Sequence, residues 1–481
     1  MIGLLLFASF AILLILGVPI CVSLGLSSVV GLLACGFDLG MLPDTLYASI
    51  CKYALLAVPF FVLAGAIMEY AGISEKLIRF ADTCVGHRKS GLITVVVITS
   101  CFFAAISGSG AAAVAALGGI LIPAMVDAKY DKGMSTVLVS ASGAIGIIIP
   151  PSIGYVVYAS IVNVSVSDLF LSGIIPGILL GAAYVAVAIW MSRGNHEIVH
   201  REPASAKERW AAFKDAIWGL LMPVIILGGI YGGIFTPTEA AAVAVIYGLF
   251  VGIFIYRKIT LKNILSVLRG AAISSATVMY VVACASIFAW VLTTSHVATD
   301  ISNAMLALSS NKIVLLMLVN VVFLIAGCFL DGSSAYYIFM PVVLPILQAL
   351  DVDLVQAGVF ITVNLAIGLV TPPIGINLYV GAGIAGVSVS SLVKKVVPFV
   401  VGGVIILLLL TFIPALSSRF FGAITGRTMN FTPSSSVIIT EKLPMVAFGT
   451  MLAIQLPTAV KHRTAAIMTR PLRTSRFPFF P

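Results

Sequence analysis

The sequence predicts an all-α, polytopic membrane protein made of two inverted repeats, each holding a re-entrant hairpin and a helix broken by a Pro-Pro pair. Three observations lead there. The 481 residues are 60% hydrophobic and only 9% charged, with a mean hydropathy of +1.16, and no soluble domain of this size hides so much apolar surface. Two distant stretches share one grammar. Phe102 to Gly110 reads FFAAISGSG and is followed by GAIGIIIPPSIG from Gly143 to Gly154; Gly327 to Ser334 reads GCFLDGSS and is followed by LAIGLVTPPIG from Leu365 to Gly375. The offsets nearly agree, 332 − 108 = 224 for the glycines and 372 − 150 = 222 for the prolines. Finally, basic residues flank the first motif and are scarce around the second, so the two are predicted to have opposite sidedness.

Residues 1–36 carry no charge and hold Gly17-Val18-Pro19 near their middle. At about 1.5 Å per residue this run is too long for one crossing, which predicts two short helices turning near Pro19. Met1 to Ile20 lacks a charged n-region and a small-residue cleavage site, so it reads as a first membrane segment. Apolar runs follow at about 53–72, 91–126, 134–165, 169–192, 215–235, 237–256, 271–296, 313–349, 355–385 and 396–416, and the one long hydrophilic stretch is Arg193 to Asp215. Lys76, Arg79, Arg88 and Lys89 precede the run 91–126, and Lys129 and Lys132 follow it. Basic loops stay in the cytoplasm, so both ends of that run lie inside and it forms a hairpin entering from the cytoplasm. The run 313–349 is flanked by Asp300, Lys312, Asp351 and Asp353, and is expected to enter from outside. Arg193 to Lys214, Arg257 to Arg269 and Lys394-Lys395 are cytoplasmic in the same scheme. It gives about ten crossings plus two hairpins with both termini outside. The membrane portion is 1–424, with repeat 1 at about 52–192 and repeat 2 at about 271–416.

The formal charge of +9 is unevenly spread. Residues 1–424 hold 20 Lys/Arg and 17 Asp/Glu, a net of +3, and the last 57 residues hold 7 and 1, a net of +6. The basic excess belongs mostly to a tail, and no nucleic-acid partner is implied. The seven cysteines lie in or beside apolar segments without a CxxC spacing, the pattern of structural thiols.

The chemistry concentrates where the helices break. Hydrocarbon offers no hydrogen bonds, so irregular backbone at membrane depth survives only inside protein or beside a polar cavity. Ser107-Gly108-Ser109-Gly110 and Asp331-Gly332-Ser333-Ser334 are poor helix interiors rich in oxygen, and Pro150 and Pro372 lack N–H donors and free further carbonyls. Hard cations favour such sets of neutral oxygens with one carboxylate, and free helix N-termini suit an anionic substrate group. Ser109, Gly110, Ser152, Ser333, Ser334 and Pro373 are the candidate substrate contacts. Gly/Ser pairs also permit close helix packing, but repetition with Pro-Pro downstream each time favours a site. Glu239, in TPTE from Thr236, reads as a helix-start carboxylate satisfied by its own first turn. No nucleophile–base pair, metal-ligand cluster or phosphate loop stands out, so no enzyme and no cofactor are expected.

At these residues the chain resembles the large membrane subunit of tripartite ATP-independent periplasmic (TRAP) transporters. The resemblance rests on VPFFVLAG from Val58, SGSG from Ser107, IPPSI from Ile149, GIIPG from Gly173, GIFTPTEA from Gly233 and TPPIG from Thr371, in family order across about residues 1–422. It implies a sodium-driven importer of a small organic acid in the bacterial inner membrane, working with a four-helix small membrane subunit and a periplasmic substrate-binding protein. It also implies elevator-type movement of the hairpins and broken helices. By motif, one sodium site would use Ser107, Gly108 and Ser109 with the break at Pro150. The other would use Asp331, Gly332 and Ser333 with Thr371 and Gly375. The tip SGSGA departs from the commoner GSSPA form, which bears on the hydroxyl ligands of the first site. The tail, about 425–481, has no counterpart in the family and is expected to be disordered or to follow an altered reading frame. A stand-alone sodium/anion symporter is the runner-up; a channel lacks its repeated charged ring, and a scaffold would not need two inverted hairpins.

Overall fold

A computed structural model describes residues 2–417 apart from Lys89, His196, His200, Arg201 and Ser310. The tail expectation, 425–481, falls outside the described residues. The uncharged start forms two helices, α1 (Ile2–Ile15) and α2 (Ile20–Cys35). They turn where Gly17 takes a φ of +79° ahead of Pro19, which cannot donate a backbone hydrogen bond. Next come α3 (Met41–Ile50) and the first repeat: α4 (Ala57–Tyr70), α5 (Ile73–Val85), α6 (Gly91–Ser107), α7 (Gly110–Asp127), α8 (Lys132–Ala144), α9 (Ile153–Val162) and α10 (Val166–Ser192). Two linking helices follow, α11 (Ala206–Tyr231) and α12 (Pro237–Phe250).

The second repeat runs through α13 (Ile264–Thr294), α14 (Val297–Leu308), α15 (Lys312–Phe329), α16 (Gly332–Ala349), α17 (Leu354–Gly368), α18 (Ile376–Ala385) and α19 (Val389–Phe412). Its seven helices match the seven of the first in order. A single offset of 222 joins the starts of α7 and α16 (332 − 110), of α8 and α17 (354 − 132), and the Pro-Pro breaks (372 − 150). The glycine pairing at 224 is therefore two residues out of register. The true counterpart of Gly332 is Gly110, and Ser109 stands where Asp331 stands.

The packing repeats too. The second hairpin arm of each half lies on the far segment of the other half's broken helix, α7 on α18 and α16 on α9. Likewise α10 packs on α17 and α19 on α8, while α10 pairs with α19 and α4 with α13. Exchange of roles at these contacts is what a two-fold relation between the halves requires.

The hairpins enter from opposite ends of the long helices. Lys129, at the base of hairpin α6–α7, accepts a hydrogen bond from Asn195 Nδ2 just past the end of α10 at 2.7 Å. Asp131 beside it pairs with Lys395, in the first turns of α19. At the base of hairpin α15–α16, Lys312 Nζ donates to the Leu350 carbonyl at 2.8 Å. Gln356, six residues on, donates to the carbonyls of Leu410 and Thr411 in the last turn of α19. Lys395 and Leu410 are 410 − 395 = 15 residues apart on α19, about 23 Å of helix, so the two bases lie toward opposite ends of α19.

Local signals set the helix starts. Asp131 accepts from Met134 N and Asp353 from Val355 N, capping α8 and α17. Thr236 and Glu239 form a capping box on α12, with Glu239 Oε2 accepting from Thr236 N at 2.8 Å; Glu239 is the helix-start carboxylate its motif predicts. Among the described residues nine helices are long and apolar enough to cross a membrane. Three of them, α7, α15 and α16, are hairpin arms, so length and hydropathy alone do not separate an arm from a crossing.

Candidate functional site

Each hairpin tip rests on its own half's helix break. α6 ends at Gly108, whose φ of +64° only glycine adopts without strain. A Cβ there would also lie 2.7 Å from the Pro151 carbonyl oxygen, so no other residue lets the tip approach the break this closely. In the second half, Gly375 N donates to the Cys328 carbonyl at 3.3 Å, tying break to tip. Both breaks carry a cis Pro-Pro bond.

The tips and breaks of the two halves meet around one cavity of about 190 Å³. Four helices begin on its wall: α7 at Gly110, α9 at Ile153, α16 at Gly332 and α18 at Ile376. A helix start carries roughly half a positive charge from its aligned peptides and up to four unpaired N–H groups. Four of them around a small cavity favour an anion there. Asp331 supplies one negative charge already. Its carboxylate caps α16, with Oδ2 accepting from Ser333 N at 2.9 Å and Ser334 N at 3.3 Å while Oδ1 accepts from the Ser334 hydroxyl.

Of the sequence candidates, Gly108, Ser109, Gly110, Asp331, Gly332 and Ser333 line the cavity. Ser107 is buried at the end of α6, and Pro150 is buried in the break behind the tip. Thr371 turns its hydroxyl onto the Ile367 carbonyl at 2.7 Å, and Gly375 caps α18. Ser152 is spent as a helix cap, its hydroxyl donating to the Ile147 carbonyl and accepting from Tyr155 N. Ser334 is buried against Asp331, and Pro373 is exposed. These three do not line the cavity. Conversely, Asn377, Tyr336 and Val278 are wall residues that the motifs did not reveal. Asn377 lies two residues past the last motif glycine, which is the one signal pointing to it.

Residues 7–416 match the profile of the family described as the tripartite ATP-independent periplasmic transporter, DctM component. The chain belongs to that family. With nine span-length apolar helices among the described residues, this DctM component is a multi-pass inner-membrane permease subunit. It is 41% identical over 418 residues to the isethionate TRAP transporter permease protein DctMQ of Oleidesulfovibrio alaskensis, covering 87% of this chain and 66% of that longer protein. It is 36% identical over 434 residues to the C4-dicarboxylate TRAP transporter large permease protein of Rhodobacter capsulatus, covering 86% of this chain and 98% of the relative. The 2,3-diketo-L-gulonate TRAP transporter large permease protein of Escherichia coli is 36% identical over 404 residues, covering 82% and 95%. Among solved structures, the Alcanivorax borkumensis YdaH transporter superimposes with a TM-score of 0.56 at 15% identity, covering 78% of this chain and 88% of that one. That likeness concerns the fold alone.

Proposed function

We propose that this DctM component imports a small organic carboxylate by sodium symport. The single observation carrying the reading is the cavity at which both hairpin tips and both broken helices converge, with four helix starts for an anion. The relatives are named for isethionate, C4-dicarboxylates and a sugar acid, all small anions bearing oxygen. Sodium is cargo here, drawn to the carbonyls and hydroxyls at the tips. Ser107, Gly108 and Ser109 with the Pro150 break would take one ion, and Asp331, Gly332 and Ser333 with Thr371 and Gly375 the other. Because the Asp331 carboxylate already accepts three hydrogen bonds, its contribution to a cation is mainly field, and the neutral oxygens beside it coordinate. The hairpins and broken helices move together as an elevator-type unit. The acid reaches the permease from a periplasmic binding protein, and a small membrane subunit completes the assembly.

Reconstitution tests this. Proteoliposomes holding the large and small subunits, supplied with the binding protein and its acid, should accumulate the acid only under an inward sodium gradient. Uptake without the binding protein would favour a self-sufficient symporter, and uptake indifferent to sodium would remove the coupling.

A further inference from the structure

The helix starts at the cavity differ in how their amides are satisfied. At α16 the cap is Asp331, whose carboxylate accepts from Ser333 N and Ser334 N. At α7 the equivalent cap, 222 residues earlier, is Ser109, and its side chain makes no capping hydrogen bond. The amides of Gly110, Ala111 and Ala112 have no acceptor among the described residues. One half therefore carries its own carboxylate where the other half carries none. Beside that bare turn lies Asn377, 0% exposed. Its Nδ2 donates to the Ser140 carbonyl at 3.3 Å, while its Oδ1 has no partner. Reversing the amide would set oxygen against the Ser140 oxygen, so the hydrogen bond fixes which atom is left over. A Cβ built on Gly110 would stand 3.0 Å from Nδ2 and 3.3 Å from Oδ1. The orphan acceptor and the bare amides thus share one corner of the cavity.

Resting on the import reading above, we propose that the carried acid docks its carboxylate on the first turn of α7, in the place that the Asp331 carboxylate takes on α16, and that a neighbouring hydroxyl donates to Asn377 Oδ1. The substrate class is then the 2-hydroxy carboxylates. The start of α7 offers convergent N–H donors with the positive end of the helix behind them. Asp331, negative and in the same cavity, turns the acid's carboxylate away from the α16 end. A buried amide oxygen without a donor is costly, and a substrate hydroxyl removes that cost where a methylene does not.

The test uses the purified complex of large and small subunits in sodium buffer, followed by thermal unfolding during titration with two acid pairs, malate against succinate and lactate against propionate. Each pair differs by one hydroxyl. In the wild type, the hydroxylated acid should raise the midpoint at roughly tenfold lower concentration, the scale of one buried hydrogen bond. Asn377→Ala should erase that preference and leave the stabilisation by sodium unchanged. Ser109→Asp, which copies the α16 cap onto α7, should leave the unliganded midpoint at or above the wild-type value and abolish the response to all four acids; because Ser109 also belongs to the first ion site, the acid titrations of this variant are run at saturating sodium. Should that variant not fold, Gly110→Ala, which pushes on Asn377, should weaken the hydroxylated acids selectively. A Ser109→Asp protein that binds malate as the wild type does would overturn the docking on α7 while leaving the import reading intact. Loss of sodium response in Asn377→Ala, with the malate preference kept, would make Oδ1 a sodium ligand and overturn the hydroxyl assignment. A wild type that responds to no acid and shows no sodium-driven uptake would remove both.

Discussion

Ser109 and Asp331 hold one position in the two halves and do different chemistry there. Asp331 is a charged cap with three donors in its own first turn, so Asp331→Ala should cost the second hairpin roughly 0.5–2 kcal/mol and lower the thermal midpoint. Ser109 and Ser333 leave their hydroxyls to the cavity. Replacing either with Ala should raise the half-saturating sodium concentration by roughly fivefold, about 1 kcal/mol for one neutral ligand, with membrane insertion intact. Unchanged sodium dependence in both variants would take these hydroxyls out of the ion sites. The tip residues were legible because Ser and Gly stand out against an apolar run. Asn377 was not, since one Asn near a helix start fits many roles. Its meaning comes from the Ser140 carbonyl, 237 residues away in sequence.

The broken helices carry the next scale. Pro372 and Pro373 separate α17 from α18: lacking N–H groups, they cannot continue the helical ladder to the Gly368 and Leu369 carbonyls, which accept instead from Thr371 N and Asn377 N. Changing both to Ala would let the helix close its hydrogen bonds. The variant should be at least as stable as the wild type yet transport poorly and respond weakly to sodium; normal sodium-driven uptake with lower stability would mean that the prolines serve packing. Away from the site, the pair Asp131–Lys395 ties the first hairpin's base to α19. Burial alone would raise the Asp131 pKa, but the hydrogen bonds from Lys395 and the Met134 amide outweigh it and hold the carboxyl below its ordinary value. A depressed folded-state pKa means stability that is present above the unfolded carboxylate pKa and lost as pH falls through the folded one. Lys395→Ala should therefore lower stability by only about 0.2–1 kcal/mol at neutral pH, as half-exposed pairs do, and flatten its decline in acid.

For the whole molecule, the arrangement to be checked is sidedness. The bases of the two hairpins lie toward opposite ends of α19, and from the basic loops the first of them is expected in the cytoplasm. A single Cys at Ser90, which precedes α6, should react with a membrane-impermeant thiol reagent only from the cytoplasm. One at Asn311, which caps α15 and adjoins Ser310 outside the described residues, should react only from the periplasm. Labelling of both from one face would undo the inverted arrangement. The native cysteines must first be replaced, since Cys51 is exposed.

The sequence by itself determined the class, the paired tips and the breaks. A membrane forces every backbone group to be satisfied within the protein, so Ser-Gly-Ser-Gly and Asp-Gly-Ser-Ser inside apolar runs, each followed by Pro-Pro, point to broken helices around a polar site rather than to packing alone. It also determined Glu239, because a capping box is written within four residues. Only the tertiary structure decided the register. Glycines 224 apart look equivalent in a string, but helix starts 222 apart bear equivalent contacts, and that shift places Ser109 opposite Asp331. Only the fold, too, sorted the candidates into those on the cavity and those spent as local caps, Ser152 and Ser334 among the latter. A hydroxyl's role depends on which carbonyl or amide lies within 3.5 Å of it, and at a cavity walled by helices from both repeats those neighbours are chosen by long-range packing.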